Sequence, residues 1–392
     1  MVRLVPNNLL PPTVPNFHQI LPTNQRPDVQ KLYSQLPHFP SANFRTVSNA
    51  SRPTAPHINM FRRAAPRAAR LMRGGVCHEM RATFATSRRG LNANVSTTTS
   101  DLGQPDLASA SSAEPSSNCR PLQEATYRQL PPTMQKMSLM GKVVIVTGGA
   151  RGLGYNMAEA CVEAGAKAII ILDTNTALGE AAVKALHEAT NNSVAVAFYN
   201  VDVRNEEDIN RSMDELTATH GVPDVLINSA GIADSNMPAE TYDTKLFSRL
   251  IDINLNGSFL MAQALGKRLI EAKKPGSIVF IASMSGGIVN YPQEQSCYNA
   301  SKAGVIMLGK SLAAEWAKFG IRVNMISPGY MDTALNNVPA LDAQKKIWKA
   351  LTPQSRLGAV HDLNGLAVLL ASDSSAFMTG SNIIIDGGYT LY

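Results

Sequence analysis

Hydrophobic and polar positions divide the chain into two regimes. Through about residue 140 the apolar residues are scattered among Pro, Ser, Thr, Asn and Arg and keep no period of 3.6 or 2. Beyond that point short apolar runs alternate with helical spacing. Residues 142–147 form a β-branched run bounded by Gly141 and Gly148, the pattern of a buried strand. Helical spacing follows from Leu153 through Met157, Ala160 and Cys161 to Ala164, and stops at Gly165, a residue suited to a left-handed cap. Further strands are predicted over 168–172, 194–201, 225–228, 277–282, 321–326 and 382–386, and helices over 206–220, 244–271, 297–319 and 362–371. Strands alternating with helices imply right-handed crossovers and a parallel sheet covered on both faces. Ligands of such α/β sheets bind outside the carboxyl ends of the strands.

Composition sharpens this division. The first 140 of the 392 residues hold 16 of the 23 prolines and carry a net charge of +10, whereas the remainder carries −4. The overall +6 is therefore not a nucleic-acid footprint of the folded part. Residues 1–59 are rich in Pro and Asn and fit no targeting class, which suggests a disordered segment or an upstream extension of the gene reading, with translation starting at Met60. Residues 60–100 hold eight arginines and one acid, Glu79, the composition of a mitochondrial transit peptide, although Pro66 interrupts the helix such a signal needs. The alternative is a solvated basic tail on a cytoplasmic protein. Residues 101–137 read as a linker, and 138–392 as one α/β domain long enough for a sizeable core. The four cysteines include no Cys-x-x-Cys pair, so neither a metal site nor a disulfide scaffold is indicated, and no apolar run has the length of a membrane span.

The first strand-to-helix turn reads Thr147-Gly148-Gly149-Ala150-Arg151-Gly152-Leu153-Gly154. Glycines there permit a tight turn and let main-chain N–H groups at a helix N-terminus approach a pyrophosphate. Gly149 and Gly154 also have the spacing of a P-loop, but Tyr155 stands where that motif needs Lys, so an NTPase lacks its phosphate-gripping cation. Asp173, 19 residues past Gly154, ends the next strand, where a carboxylate accepts hydrogen bonds from a ribose diol and repels a 2′-phosphate. That favours NAD over NADP. Arg151 points the other way, and Asp173 has a second reading as a helix N-cap.

Tyr298 and Lys302 share one face of a helix at i, i+4 spacing. A free phenol has a pKa of about 10, and a nearby ammonium favours the phenolate, which would make Tyr298 a proton shuttle for an alcohol or carbonyl. The same pair also reads as a packed ring beside a solvated amine. In chain order, the glycine turn is followed by Asn228-Ser-Ala-Gly231, Asn254-Leu-Asn-Gly257, Ser283 after a strand, Tyr298-x-x-x-Lys302 and Pro328-Gly-Tyr-Met-Asp-Thr333.

This ordered set resembles the short-chain dehydrogenase/reductase family over about residues 138–392. The resemblance implies a single doubly wound Rossmann domain of about seven parallel strands, and a catalytic set of Asn254, Ser283, Tyr298 and Lys302. Ser283 would hold the substrate oxygen and Tyr298 transfer the proton. Lys302 would lower the pKa of Tyr298 and grip the nicotinamide ribose, and Asn254 would hold a water in a proton relay. Nucleotide contacts are implied for Thr147, Gly148, Arg151, Gly152, Leu153, Gly154 and Asp173, for Asp202 near the adenine, and for Asn228, Ala230 and Gly231 along the adenosine. Tyr298, Lys302, Pro328, Gly329 and Thr333 would serve the nicotinamide end. Two departures stand out: Ser229 replaces the usual Asn, and Ser285 offers a second hydroxyl in a slightly lengthened loop. Self-association as a homodimer or homotetramer is usual in the family.

Substrate contacts are expected from the loop between Ser283 and Tyr298, from 233–241, and from a mobile stretch between Tyr330 and Arg356. In the first of these, Asn290, Gln293, Glu294 and Gln295 would either hydrogen-bond a polyhydroxylated chain or be solvated. The motifs most resemble the fungal polyol branch of the family, so NAD-dependent oxidation of a polyol to a ketose, as in a D-arabinitol 2-dehydrogenase, is the first expectation. A 3-oxoacyl-thioester reductase is the rival, with Lys267, Arg268, Lys273 and Lys274 as a scattered basic patch for an acyl carrier. A silent nucleotide-binding scaffold is the rival of another class.

Overall fold

The computed structural model describes residues 119–234, 236–333, 336 and 341–392. The expected leader segments, 1–59 and 60–100, and the first part of the linker lie outside the described residues. Seven parallel strands form one sheet in the order β3-β2-β1-β4-β5-β6-β7. They are β1 Val143–Thr147, β2 Ala168–Asp173, β3 Ala195–Asn200, β4 Val225–Asn228, β5 Gly276–Ile281, β6 Ile321–Pro328 and β7 Asn382–Ile385. The chain runs outward from β1 to β3, returns to place β4 on the other side of β1, and then runs outward again. The order therefore reverses between β1 and β4, which opens a crevice at their carboxyl ends.

All five residues of β1 are buried because both sheet faces are covered. Val144 and Val146 join the cluster under helices α3 (Gly152–Glu163), α4 (Thr176–Thr190) and α10 (Asn364–Ala371). Val143 and Ile145 join the opposite cluster, under α5 (Glu206–His220), α7 (Gly257–Glu271) and α8 (Ser296–Trp316). Each buried aliphatic side chain contributes about 1.5–3 kcal/mol, so this period-two alternation fixes the register of the central strand. Helix starts follow ordinary capping chemistry. Asn175 caps α4 by accepting from Leu178 N–H at 3.0 Å, and Asn205 caps α5, whose first turn adds Glu206, Glu207 and Asp208 to the positive end of its dipole.

Four expectations need correction. The linker assigned to 101–137 ends too late: α1 (Glu124–Tyr127) and α2 (Pro132–Lys136) form within it. Cys119 is buried in the core, and Leu122 lies beside Gly165 at the end of α3. The helix expected over 244–271 is interrupted. It is α6 (Thr244–Ile251), a π-turn (Asp252–Asn256) and α7, the interruption falling where Asn254 is drawn inward and Gly257 approaches Val203 too closely for any side chain. α4 was missing from the sequence reading. Finally, the stretch between Tyr330 and Arg356 contains a helix, α9 (Asp342–Leu351), anchored by the buried Trp348.

Trimming the chain to begin at Ser138 removes the buried Cys119 and the segment behind α3. Relative to a chain beginning at Cys119, its melting temperature is expected to fall by roughly 2–8 °C in calorimetry. Equal melting temperatures would return 119–137 to linker.

Candidate active site

The site begins at the carboxyl ends of β1 and β4. Thr147, completely buried, donates its hydroxyl hydrogen to Asn228 Oδ1 at 3.0 Å and accepts from the main-chain N–H groups of Ser229 and Ala230 at 3.0 Å each. Asn228 Nδ2 in turn donates to the Ser258 carbonyl. These bonds hold 228–231 against the glycine turn. Gly148 has φ +62°, and a Cβ added there would meet Ala230 Cα at 2.9 Å, so the turn and the 228–231 segment touch along their backbones.

Gly152 also has a positive φ, +60°, but a Cβ added there would meet nothing within 4 Å. The surface over the start of α3 is thus open, and Arg151 provides no side-chain cap for the first-turn N–H groups. An open helix N-terminus with unspent donors is what a pyrophosphate requires. Leu153 packs against the core beneath. Asp173, at the end of β2, accepts from Ala150 N–H at 3.3 Å through one oxygen and from Asn175 N–H at 3.1 Å through the other. Asn175 rather than Asp173 caps α4, which removes the alternative reading of Asp173 as that cap. Each carboxylate oxygen keeps a second lone pair for a ribose hydroxyl. Asp202, just past β3, is gripped by Arg204 Nε and Nη2, which holds its carboxyl below the usual carboxylate range. The residues present therefore fit a dinucleotide laid across the crevice from Asp202 toward Tyr298.

At the other end of the crevice, Ser283 follows β5 and caps a short 3-10 turn, its oxygen accepting from Ser285 N–H at 3.1 Å. Its hydroxyl also acts on Tyr298, favouring the ionised phenol. Ser285 is instead engaged by Gln295 Nε2 at 3.4 Å. Lys302 is 6 % exposed. Its Nζ donates to the Ile281 carbonyl at 2.9 Å and lies 5.7 Å from the centre of the Tyr298 ring.

The electrostatics differ from the expectation that Lys302 depresses the Tyr298 pKa. Burial holds the phenol above its ordinary value, partly offset by the Ser283 hydrogen bond, and the same burial brings Lys302 down to about 8. The physical reason is that desolvation acts on both groups while the ammonium is aimed at a carbonyl. Tyr298 in this form is a proton donor.

Asn254 is completely buried in the π-turn. Its side chain accepts from Ile232 N–H and donates to the Ile232 carbonyl, both at 2.9 Å, and donates to Ser301 Oγ at 3.1 Å. That side chain is a clamp holding Gly231 and Ile232 beside Lys302. Sequence reasoning missed Ser301, which sits between Asn254 and the Tyr298 carbonyl; only its place inside Tyr298-x-x-x-Lys302 marks it. Gly329 lies at the end of β6, its N–H bonded to the Ile385 carbonyl, and a side chain there would strike Asp386. Pro328 ends the same strand, and Thr333 closes the following turn on Met331.

The comparisons with known proteins agree with this geometry. A family profile described as enoyl-(acyl carrier protein) reductase matches residues 148–390. Sorbose reductase of Schizosaccharomyces pombe is 40% identical over 256 residues, 64% of this chain and 97% of that protein. D-arabinitol 2-dehydrogenase of Candida tropicalis is 40% identical over 266 residues, covering 64% and 93%. An NADP-dependent mannitol dehydrogenase of Hypocrea jecorina is 40% identical over 256 residues, covering 64% and 94%. Among solved structures, gluconate 5-dehydrogenase from Burkholderia cenocepacia with NADP and tartrate has a TM-score of 0.61 and 32% identity, covering 66% of this chain and 99% of that one. NAD+-bound xylitol dehydrogenase has a TM-score of 0.59 and 31% identity, covering 64% and 99%. With the Ser283–Tyr298 pair, the buried Lys302 and the glycine turn in place, the chain belongs to the short-chain dehydrogenase/reductase family and is an oxidoreductase acting on alcohol groups.

Proposed function

We propose that the protein interconverts a polyol and the corresponding ketose, with NAD preferred over NADP. The observation that carries the reading is the polar lining beside the catalytic pair. Asn290 and Gln293, in the loop that joins Ser283 to Tyr298, both hydrogen-bond the hydroxyl of Tyr330 just past β6, where an acyl chain would need an apolar slot. Three relatives named for sorbose, arabinitol and mannitol support it. The rival acyl-carrier reading loses its basic patch. Arg268 is paired with Asp214 and bonded to the Ala264 and Asn210 carbonyls, and Lys274 is paired with Asp224. Only Lys267 and Lys273 of the four are left without a described ion pair.

In the proposed reaction Ser283 holds the substrate oxygen and Tyr298 exchanges the proton with it. Lys302 supplies positive charge beneath the ring, and Asn254 keeps the Gly231–Ile232 main chain against that ammonium. The nicotinamide, when bound, accepts or returns the hydride. Asp173 supports the NAD preference because a carboxylate at this strand end repels a 2′-phosphate.

Replacing Tyr298 with Phe is expected to lower kcat by about 10²–10⁴-fold while calorimetry shows nucleotide binding unchanged. Substantial residual turnover would overturn the assignment. Ketose reduction, which needs the phenol proton and the Lys302 ammonium, is expected to be level below pH about 8 and to fall above it as Lys302 loses its proton. Polyol oxidation, which needs the phenolate, should rise only at more alkaline pH than this, because burial holds the Tyr298 phenol above its ordinary value of about 10. A reduction rate that climbs into alkaline pH contradicts this scheme. Replacing Asp173 with Ser should raise KM for NAD and lower it for NADP, and an unchanged ratio would remove Asp173 from the preference. Assaying D-arabinitol, mannitol, sorbitol and acetoacetyl-thioester with both nucleotides tests the substrate class; turnover of the thioester alone would favour the rival.

A further inference from the structure

Aromatic stacking and hydrogen bonds join three elements into a wall just past the carboxyl ends of β5 and β6. Tyr330 leaves β6 and lies flat on Trp348 of α9, with ring centres 4.2 Å apart and planes 5° apart, while Tyr389 meets it edge-on at 5.2 Å. Its hydroxyl donates to Gln293 Oε1 at 2.6 Å and accepts from Asn290 Nδ2 at 3.0 Å. A phenol has one hydrogen to give, so once it goes to Gln293 the group facing it from Asn290 must be the amino group. The Asn290 carbonyl is left over. Asn290 is 4 % exposed, and its Oδ1 has no partner among the described residues.

A buried acceptor without a donor is costly, and such a group is retained where something supplies the donor. The wall also stands at the carboxyl ends of β5 and β6, since Tyr330 lies two residues past β6 and Asn290 belongs to the loop that carries the chain from Ser283 to Tyr298. On the loop itself, Asn299, one residue past Tyr298, donates to the Ile288 carbonyl and ties the wall to the catalytic helix.

We propose that Asn290 Oδ1 accepts a hydrogen bond from a substrate hydroxyl beyond the reacting carbon, making the Asn290–Tyr330–Gln293 chain the element that selects polyhydroxylated substrates. The inference rests on the polyol reading above. A polyol offers a hydroxyl donor on every carbon, whereas the chain beyond a 3-oxoacyl group has none, and a site left with an unpaired polar group discriminates against the analogue that lacks the partner. Because Oδ1 has no solvent-exposed surface, the hydroxyl reaches it by parting the loop from its neighbours. Asn290 is therefore a specificity residue, and it takes no part in proton transfer.

The test is Asn290→Leu in the full chain, assayed with whichever of D-arabinitol, mannitol and sorbitol the wild type oxidises. KM for the polyol is expected to rise about tenfold, with kcat changed less than about threefold and the KM for nucleotide unchanged. An unmoved polyol KM overturns the inference. So does a loss confined to kcat, which would mean that Asn290 merely positions Tyr298. If the leucine variant does not fold, as judged by circular dichroism, Asn290→Ala is read in the same way. Wild-type oxidation of a polyol together with an unmoved KM in the variant overturns the Asn290 assignment alone. A wild type that oxidises none of the three overturns the substrate reading, and this inference with it.

Discussion

The buried hydroxyl of Thr147 joins the two strands between which the sheet reverses order. It gives one hydrogen bond to Asn228 and takes two from the 228–231 main chain. Both ends of the crevice depend on that junction. On one side it presses the 228–231 segment onto the glycine turn, leaving the start of α3 open above Gly152. On the other, the same segment runs on to Gly231, where a Cβ would meet Asn254 Oδ1 at 3.2 Å and Lys302 Nζ at 3.6 Å. The position of the catalytic ammonium is thus set by the backbone path that also shapes the nucleotide side. A side chain on either glycine would separate elements that have to touch.

Burial and charge oppose one another at the reacting end. Enclosing Tyr298 and Lys302 favours the neutral form of each, so the phenol keeps its proton more tightly while the ammonium holds its proton less tightly. The pair is suited to giving a proton to a developing alkoxide. The reverse reaction calls for positive charge nearby, and the oxidised nicotinamide carries one when bound.

Much of this was legible in the sequence because the informative residues sit at strand ends, where a periodic pattern stops and chemistry starts. Ser283 follows β5 directly, Asp173 ends β2, and the glycine turn joins β1 to α3, so reading the strands located all three. The π-turn was not legible. Its trigger is the pairing of Asn254 with Ile232, 22 residues earlier, and the contact of Gly257 with Val203, neither of which leaves a local period. Helix α9 is illegible for a different reason: its anchor, Trp348, packs on Tyr330 from another element. Spacing shows that the Lys302 amine is near a phenol, but not that its ammonium donates to the Ile281 carbonyl.

The stacking of Trp348 on Tyr330 has an optical side. The chain contains two tryptophans, and the other, Trp316, lies at the end of α8 against Gly266. One indole is therefore stacked on Tyr330 at the carboxyl side of the sheet while the other packs against α7. The emission of this protein comes from two chromophores with separate surroundings, and a shift confined to one of them distinguishes an event at the Tyr330 stack from a loosening of the fold.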